Sequence, residues 1–126
     1  MRQVTADRRR ALYEEAAEII RSDYAGRLDV DSVARRVATS RRQLQRVFAE
    51  FGGTSFRQYV AAVRMQRAEE LLREGILPVG EVAQRVGYRQ PAQFAKAFRR
   101  HRGTAPSELR ALNGARPEQF EDAAAA

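Results

Sequence analysis

Residues 30–54 read VDSVARRVATSRRQLQRVFAEFGGT, and residues 79–104 read VGEVAQRVGYRQPAQFAKAFRRHRGT. The second stretch repeats the first, with one residue inserted at the central turn. The matched pairs are Val30 and Val79, Val33 and Val82, Ala34 and Ala83, Arg36 and Arg85, Val37 and Val86, Leu44 and Phe94, Arg46 and Lys96, Phe48 and Phe98, Gly53 and Gly103, and Thr54 and Thr104. Each copy has the pattern of a short helix, a turn and a longer helix that ends at glycine. The repeat therefore predicts two helix-turn-helix motifs.

The rest of the chain is also helical in pattern, because apolar residues recur at helical spacing and no run alternates as a half-buried strand does. A first helix is predicted over about residues 8–23, and a last helix is predicted to begin near Pro106 and to carry Leu109 and Leu112. The predicted helix-capping residues are Asp29, Ser40 and either Thr54 or Ser55.

These signals predict an all-α fold of seven helices. The two helix-turn-helix subdomains cover about residues 29–52 and 78–102, and a long central helix over about residues 55–73 joins them. Residues 1–112 form one domain in this interpretation. Residues 113–126 have no consistent period and are expected to be a frayed acidic tail.

The composition of the 126-residue chain points to a polyanionic partner. It carries 23 basic and 16 acidic residues, a net charge of +7, and every basic residue except Lys96 is arginine. Arginine suits phosphates and guanine, so nucleic acid is the favoured partner. The absence of cysteine excludes thiol chemistry and thiolate zinc sites. A histidine metal site or a Ser-His-Asp triad is disfavoured because His101 is the single histidine of the sequence. Neither a secretory leader nor a long apolar run occurs, which favours a cytoplasmic, nucleoid-associated protein without a membrane partner.

The second helix of the first copy has the two faces that a DNA-recognition helix needs. Its predicted buried stripe consists of Leu44, Val47, Phe48 and Phe51. Its opposite face carries Arg41, Arg42, Gln45 and Arg46, whose side chains suit contacts with guanine, adenine and phosphate. A merely solvated polar face is the alternative interpretation.

The second helix of the second copy is less rich in groups that recognise bases. Phe94, Ala97 and Phe98 are expected to face inward, while Gln93 and Lys96 face outward and Ala92 offers only a methyl group. Flanking or phosphate contacts in the two copies are predicted for Ser40, Arg41, Arg89, Gln90, Arg99, Arg100 and Arg102.

The length of the central helix suits the simultaneous use of both motifs. Residues 55–73 span about 27 Å at 1.5 Å per residue. With the width of the flanking helices, this length can separate the two recognition helices by about one turn of DNA, ~34 Å. A monomer could then occupy two successive major grooves.

The chain from about Leu12 to Leu112 resembles the DNA-binding domain of the AraC/XylS family of transcription regulators. The resemblance is carried by residues 87–110, GYRQPAQFAKAFRRHRGTAPSELR, including Phe94, Phe98, Gly103, Pro106 and Arg110. In layout the chain is closest to the stand-alone, MarA/SoxS-like members, for which no cofactor or small-molecule effector is expected.

The resemblance implies a homeodomain-like, seven-helix bundle that binds an asymmetric double-stranded DNA site as a monomer. It also implies that the protein activates transcription by contacting RNA polymerase. The implied base contacts are Arg42, Gln45 and Arg46 in the first copy and Ala92, Gln93 and Lys96 in the second. The chain departs from the family pattern at Gln90, Pro91, Arg102 and Leu109, which leaves open whether the second copy contacts bases or only phosphates.

Other functions remain as alternatives. A transcription repressor and a non-specific or architectural DNA-binding protein fit the same composition. A DNA-binding module of an alkyl-accepting repair protein is disfavoured because it needs cysteine, and an enzyme is disfavoured because no nucleophile and base can be paired. Tyr59 and Tyr88 are expected to be packing residues. The acidic residues Glu69, Glu70 and Glu74 are expected to form a solvated surface late in the central helix, away from the base-contacting faces, with a polymerase-contacting patch as the alternative.

Overall fold

The computed structural model of the chain describes residues 2–112, and every regular element within that range is a helix. The helices are α1 (Arg2–Asp23), α2 (Val30–Arg36), α3 (Arg41–Val47), a π-helical segment (Phe48–Gly52), α4 (Phe56–Glu74), α5 (Val79–Arg85), α6 (Pro91–Arg102) and α7 (residues 106–112). The all-α fold with seven α-helices is thereby confirmed. The predicted acidic tail lies outside the described residues.

The chain divides into two compact units, Met1–Val63 and Arg64–Ala126, and the boundary falls within α4. The first unit contains α2 and α3, and the second contains α5 and α6. Each unit therefore holds one complete copy of the repeated motif.

The core of the first unit forms around α3. Leu44, Val47 and Phe48 are fully buried, together with Val33 of α2 and Ile20 of α1. Burying each of these larger apolar side chains contributes about 1.5–3 kcal/mol. The packing of α3 thus depends on the apolar stripe that its sequence predicts.

The core of the second unit repeats this arrangement with larger side chains. Phe94 and Phe98 of α6 are fully buried, and the ring of Tyr88 lies 5.6 Å from that of Phe94. The Arg110 guanidinium donates a hydrogen bond to the backbone carbonyl of Leu77, which ties α7 to the turn before α5.

In the first unit, several helices begin with a residue whose side chain accepts a hydrogen bond from the first turn. Asp29 accepts a hydrogen bond from the Ser32 backbone N–H at 2.8 Å, and the Ser40 hydroxyl accepts one from Gln43 at 3.1 Å. Both predicted caps are confirmed. The Ser55 hydroxyl accepts from the Gln58 N–H at 3.1 Å, so the cap of α4 is Ser55.

The end of α3 departs from a regular α-helix. From Phe48 the chain widens into a π-helical segment, and the Gly53 N–H, at φ 66°, donates to the Phe48 carbonyl. A Cβ at Gly52 would lie 3.1 Å from the Tyr13 ring, a tight contact that a larger residue makes only if the ring moves by a few tenths of an ångström. Periodicity does not reveal the segment, since its apolar side chains pack inward as in an α-helix.

One further expectation about the helices differs from the structure. Helix α1 begins at Arg2 and not near residue 8, because its first turns are too polar to show an apolar stripe. In the last helix, Leu112 is 57% exposed.

Candidate nucleic-acid interface

The turn between the two helices of each motif is built from the same backbone hydrogen bonds. In the first copy, Ala38 and Thr39 donate to the carbonyls of Arg35 and Ala34 at 3.1 and 2.9 Å. These bonds form a Schellman motif, which requires a left-handed residue, and Ala38 takes that position with φ 56°.

In the second copy, Gly87 and Tyr88 donate to the carbonyls of Gln84 and Ala83 at 3.1 and 2.9 Å. Gly87 holds the left-handed position with φ 100°. The two copies therefore share a helix-turn-helix geometry that their sequences alone only outline.

Helix α3 presents three of the predicted base-contacting residues on one exposed face. Arg42, Gln45 and Arg46 are all exposed, while Leu44 and Val47 are buried on the opposite side. Within residues 2–112, the three exposed side chains make no hydrogen bond or ion pair with another protein group. Their donors are therefore available to a ligand that approaches this face.

The two predicted flanking residues of α3 have partners within the protein. The Ser40 hydroxyl caps the helix, as described above. Arg41 donates from Nε and Nη2 to the two carboxylate oxygens of Asp31 at 2.9 and 2.7 Å. These hydrogen bonds lower the pKa of the Asp31 carboxyl and raise the pKa of Arg41.

A second ion pair lies at the end of the same recognition element. The Arg9 guanidinium donates to both carboxylate oxygens of Glu50 at 3.0 and 3.1 Å, and this lowers the pKa of Glu50. Next to it, Arg10 lies over the ring of Phe51 at 4.9 Å. Helix α1 thereby holds the π-helical segment in place through charged and aromatic contacts.

Helix α6 also separates a buried face from an exposed one. Ala92, Gln93 and Lys96 are exposed, while Phe94 and Phe98 are buried. Helix α6 begins at Pro91, and its side chains present fewer directional donors than those of α3.

The predicted residues that flank α6 lie at its two ends. At the beginning of the helix, Arg89 and Gln90 are exposed, and Gln90 occupies the capping position without a side-chain hydrogen bond. At its end, Arg99, Arg100, His101 and Arg102 make the last turn basic. This charge suits the phosphate contacts predicted there.

Two of the arginines in the last turn of α6 are paired with carboxylates. Arg99 lies 3.4 Å from Glu108, and Arg102 lies 2.9 Å from Glu69, which also binds Arg73 at 3.1 Å. Glu69 is therefore ion-paired at the end of α6, with an arginine that lies outside the predicted base-contacting face. The sequence gives no sign of this pair, because the partners are far apart along the chain.

The tyrosines pack as expected. The Tyr59 ring lies 5.2 Å from the Phe48 ring and its hydroxyl accepts a hydrogen bond from Arg21 at 2.8 Å, while Tyr88 packs on Phe94. Across the described part of the chain, histidine and acidic side chains form no cluster that could hold a metal ion. None of its helices has both the length and the apolar character needed to cross a membrane.

Known proteins share this arrangement. A family model described as a helix-turn-helix domain matches residues 33–112. The Msm operon regulatory protein of Streptococcus mutans is 32% identical over 101 residues, which are 80% of this chain and 36% of that protein. The chain spans about a third of the length of several curated relatives that it matches.

Two solved structures extend the similarity to the fold. A transcriptional regulator from Chromobacterium violaceum with an AraC-type DNA-binding domain has a TM-score of 0.77 and 28% identity, covering 82% of this chain and 92% of that one. The DNA-binding domain of AdpA, solved with a target DNA, has a TM-score of 0.76 and 33% identity, covering 86% and 96%. Because sequence and fold agree over both motifs, the chain belongs to the AraC family of transcription regulators and carries that family's helix-turn-helix DNA-binding domain.

Proposed function

We propose that this chain binds a specific promoter sequence as a monomer, with its two helix-turn-helix motifs in successive major grooves. The observation that carries the proposal is the exposed face of α3, where the side chains of Arg42, Gln45 and Arg46 are all exposed and make no hydrogen bond within the described residues. Arginine and glutamine make bidentate contacts with guanine and adenine, so this face is suited to sequence recognition. The similar AdpA domain, solved with a target DNA, supports the same use of the fold.

The remaining predicted residues divide by chemistry. In the second copy, Gln93 and Lys96 are proposed to contact base edges, and Ala92 is proposed to touch a thymine methyl group. Backbone phosphates are proposed as the ligands of the flanking residues, which are Ser40, Arg41, Arg89, Gln90, Arg99, Arg100 and Arg102.

The proposed biological role is transcription activation through a contact with RNA polymerase, in the cytoplasm and without enzymatic activity. The family supports regulation of transcription, and activation is the role that the family resemblance implies. Repression is the second candidate, because occupancy of a promoter can also block polymerase.

The proposal is tested by selecting bound fragments from a pool of random duplex DNA. We expect one enriched sequence long enough to cover two major grooves, bound by one protein molecule in sedimentation or native mass measurements. A pool that stays random after several rounds would support the non-specific, architectural alternative. Transcription in vitro from a promoter carrying the selected site then separates activation from repression.

A further inference from the structure

An ion pair joins the first turns of α2 and α3. Asp31 lies in the first turn of α2, and Arg41 is the first residue of α3. Both carboxylate oxygens of Asp31 are occupied by the Nε and Nη2 donors of Arg41, at 2.9 and 2.7 Å. A negative charge is thus fixed beside the residues that are proposed to contact DNA.

The ion pair between Arg41 and Asp31 is expected to contribute little to the free energy of unfolding. The side chains of Arg41 and Asp31 are 59% and 50% exposed, and ion pairs at such positions are strongly screened by water. The caps of α2 and α3 come from Asp29 and Ser40, so neither helix depends on the Asp31 carboxylate for its cap.

The chemistry of the pair suits an exchange with DNA. A phosphate offers a guanidinium the same pair of oxygen acceptors as a carboxylate does, so a phosphate can take the place of Asp31. Before DNA binds, Asp31 offsets the charge of Arg41. After the exchange, the free carboxylate remains as a negative charge close to the DNA backbone, which costs binding free energy.

Two of the four other arginines that are proposed to contact phosphates are also paired with carboxylates. Arg99 and Arg102, both proposed to contact phosphates, are paired with Glu108 and Glu69. Within the described residues, Arg42 and Arg46, both proposed to contact bases, form no ion pair at 4.0 Å or less, although the charge of Arg46 helps to lower the pKa of Glu50. Carboxylates thus accompany several phosphate-contacting arginines and leave the base-contacting arginines available.

We propose that Asp31 is an internal counterion of Arg41, which occupies this arginine in the free protein and weakens binding to every DNA sequence by a similar factor. The inference rests on the proposed function, because it takes Arg41 to contact a phosphate. Asp31 then sets overall affinity without contacting a base, and the ranking of DNA sites is left to α3 and α6.

The test is the Asp31→Asn variant of the full chain, which keeps the side-chain size and removes the charge. Two fluorescent duplexes of equal length serve as probes, one carrying the selected site and one a scrambled sequence. We expect affinity for both to rise about two- to fivefold at moderate salt, the scale of one exposed ion pair. The plot of log affinity against log salt should become steeper by less than one, because the variant has no free carboxylate beside the phosphate that Arg41 neutralises.

The chain offers a closely matched control. Asp23 pairs with Arg36 at 2.8 Å, and the two side chains are 45% and 50% exposed, but Arg36 is not a proposed DNA contact. Asp23→Asn changes the net charge by the same amount as Asp31→Asn, and we expect it to raise DNA affinity less. The difference between the two variants measures the effect of the Asp31–Arg41 pair apart from the effect of net charge. Asp31→Glu keeps the carboxylate and should bind DNA as the unchanged protein does.

A double-mutant cycle tests whether Asp31 acts through its partner. In an Arg41→Ala background, Asp31→Asn should raise affinity by a clearly smaller factor than it does alone. Circular dichroism verifies the helix content of each variant, and Asp31→Ser provides a second neutral variant with the same expectation.

Three results would overturn the inference: weaker or unchanged DNA binding by Asp31→Asn, an equal gain from Asp23→Asn, or an equal gain in the absence of Arg41. Failure of the proposed function would look different. The unchanged protein would then bind the selected and scrambled duplexes equally well, while the effect of Asp31 could still be measured on both.

Discussion

The two recognition helices share their buried positions and differ in almost everything that they expose. Helix α3 begins with a side-chain cap from Ser40, presents two arginines and a glutamine, and ends in a π-helical segment. Helix α6 begins at Pro91 without a side-chain cap, presents an alanine, a glutamine and a lysine, and ends in four consecutive basic residues. Both copies keep the packing that the fold needs. Their polar faces differ: α3 presents side chains that form directional hydrogen bonds, whereas α6 mainly presents positive charge.

Salt is expected to produce the largest effect, because it weakens the phosphate contacts of both copies. If the protein neutralises six or more phosphates, affinity for any duplex should fall about 10³-fold or more between roughly 50 and 200 mM salt. Fluorescence titration over this range measures the slope. The Arg100→Ala variant should lower the slope by about one, and a nearly flat dependence for the unchanged protein would contradict the charge-based role of α6.

Removal of Arg46 is expected to cost about 1–3 kcal/mol of binding free energy at the selected site, because a bidentate contact to a base is lost. The requirement for one base pair should relax, as measured by binding to a set of single-base variants of the site.

Gln93→Ala is the matched change in the second copy and should disturb the ranking of sites less than Arg46→Ala does. The selected site should accordingly have one well-defined half and one degenerate half, about one helical turn apart. Two equally sharp halves would contradict the difference between the copies.

Substitution of the left-handed residue in each turn should change the free energy of unfolding by different amounts in the two motifs. Gly87→Ala is expected to lower the free energy of unfolding by about 1–2 kcal/mol, since a residue with a Cβ is strained at φ 100°. Ala38→Gly relieves such strain but makes the unfolded chain more flexible, so we expect a gain of at most about 1 kcal/mol. Urea denaturation measures the change in the free energy of unfolding for each variant. Equal losses in the two variants would contradict the conclusion that Ala38 is strained and Gly87 is not.

Acid is expected to weaken the first copy through its two paired carboxyls. Arg41 and Arg9 lower the pKa of Asp31 and Glu50 in the folded protein. Their stabilising contribution is complete above the unfolded-state pKa values, near 4, and is lost as the pH falls through the lowered values. Thermal melts from about pH 5 to pH 2 should show this loss, and the double variant Asp31→Asn with Glu50→Gln should show a flatter pH profile over this range.

Much of the fold could be predicted because its signals are local. The caps at Asp29 and Ser40 depend on residues three positions apart, and the buried stripe of α3 repeats within two turns. The same local reasoning predicts that Arg42, Gln45 and Arg46 share an exposed face. The caps and the exposed face are determined by residues that are close together in the sequence.

The features that escaped prediction depend on contacts between distant segments. Asp31 and Arg41 are ten residues apart, Glu69 and Arg102 thirty-three apart, and each pair requires two helices to meet at a particular rotation. The close approach of the Tyr13 ring to Gly52 of the π-helical segment also joins two segments far apart along the chain. Periodicity reports which face of a helix is apolar but not what packs against it.

The π-helical segment also limits how far one copy can serve as a guide to the other. Gly53 bonds to the carbonyl five residues before it, whereas Gly103 bonds to Arg99, four residues before it. The number of residues from Phe48 to Gly53 equals that from Phe98 to Gly103, yet the chain turns less per residue in the first copy. Glu50 and Arg100 therefore align in sequence without being equivalent in space. A functional role found for a residue in one copy can therefore be assigned to the aligned residue of the other copy only up to Phe48 and Phe98. A graft of one recognition helix onto the other motif should end at the same position.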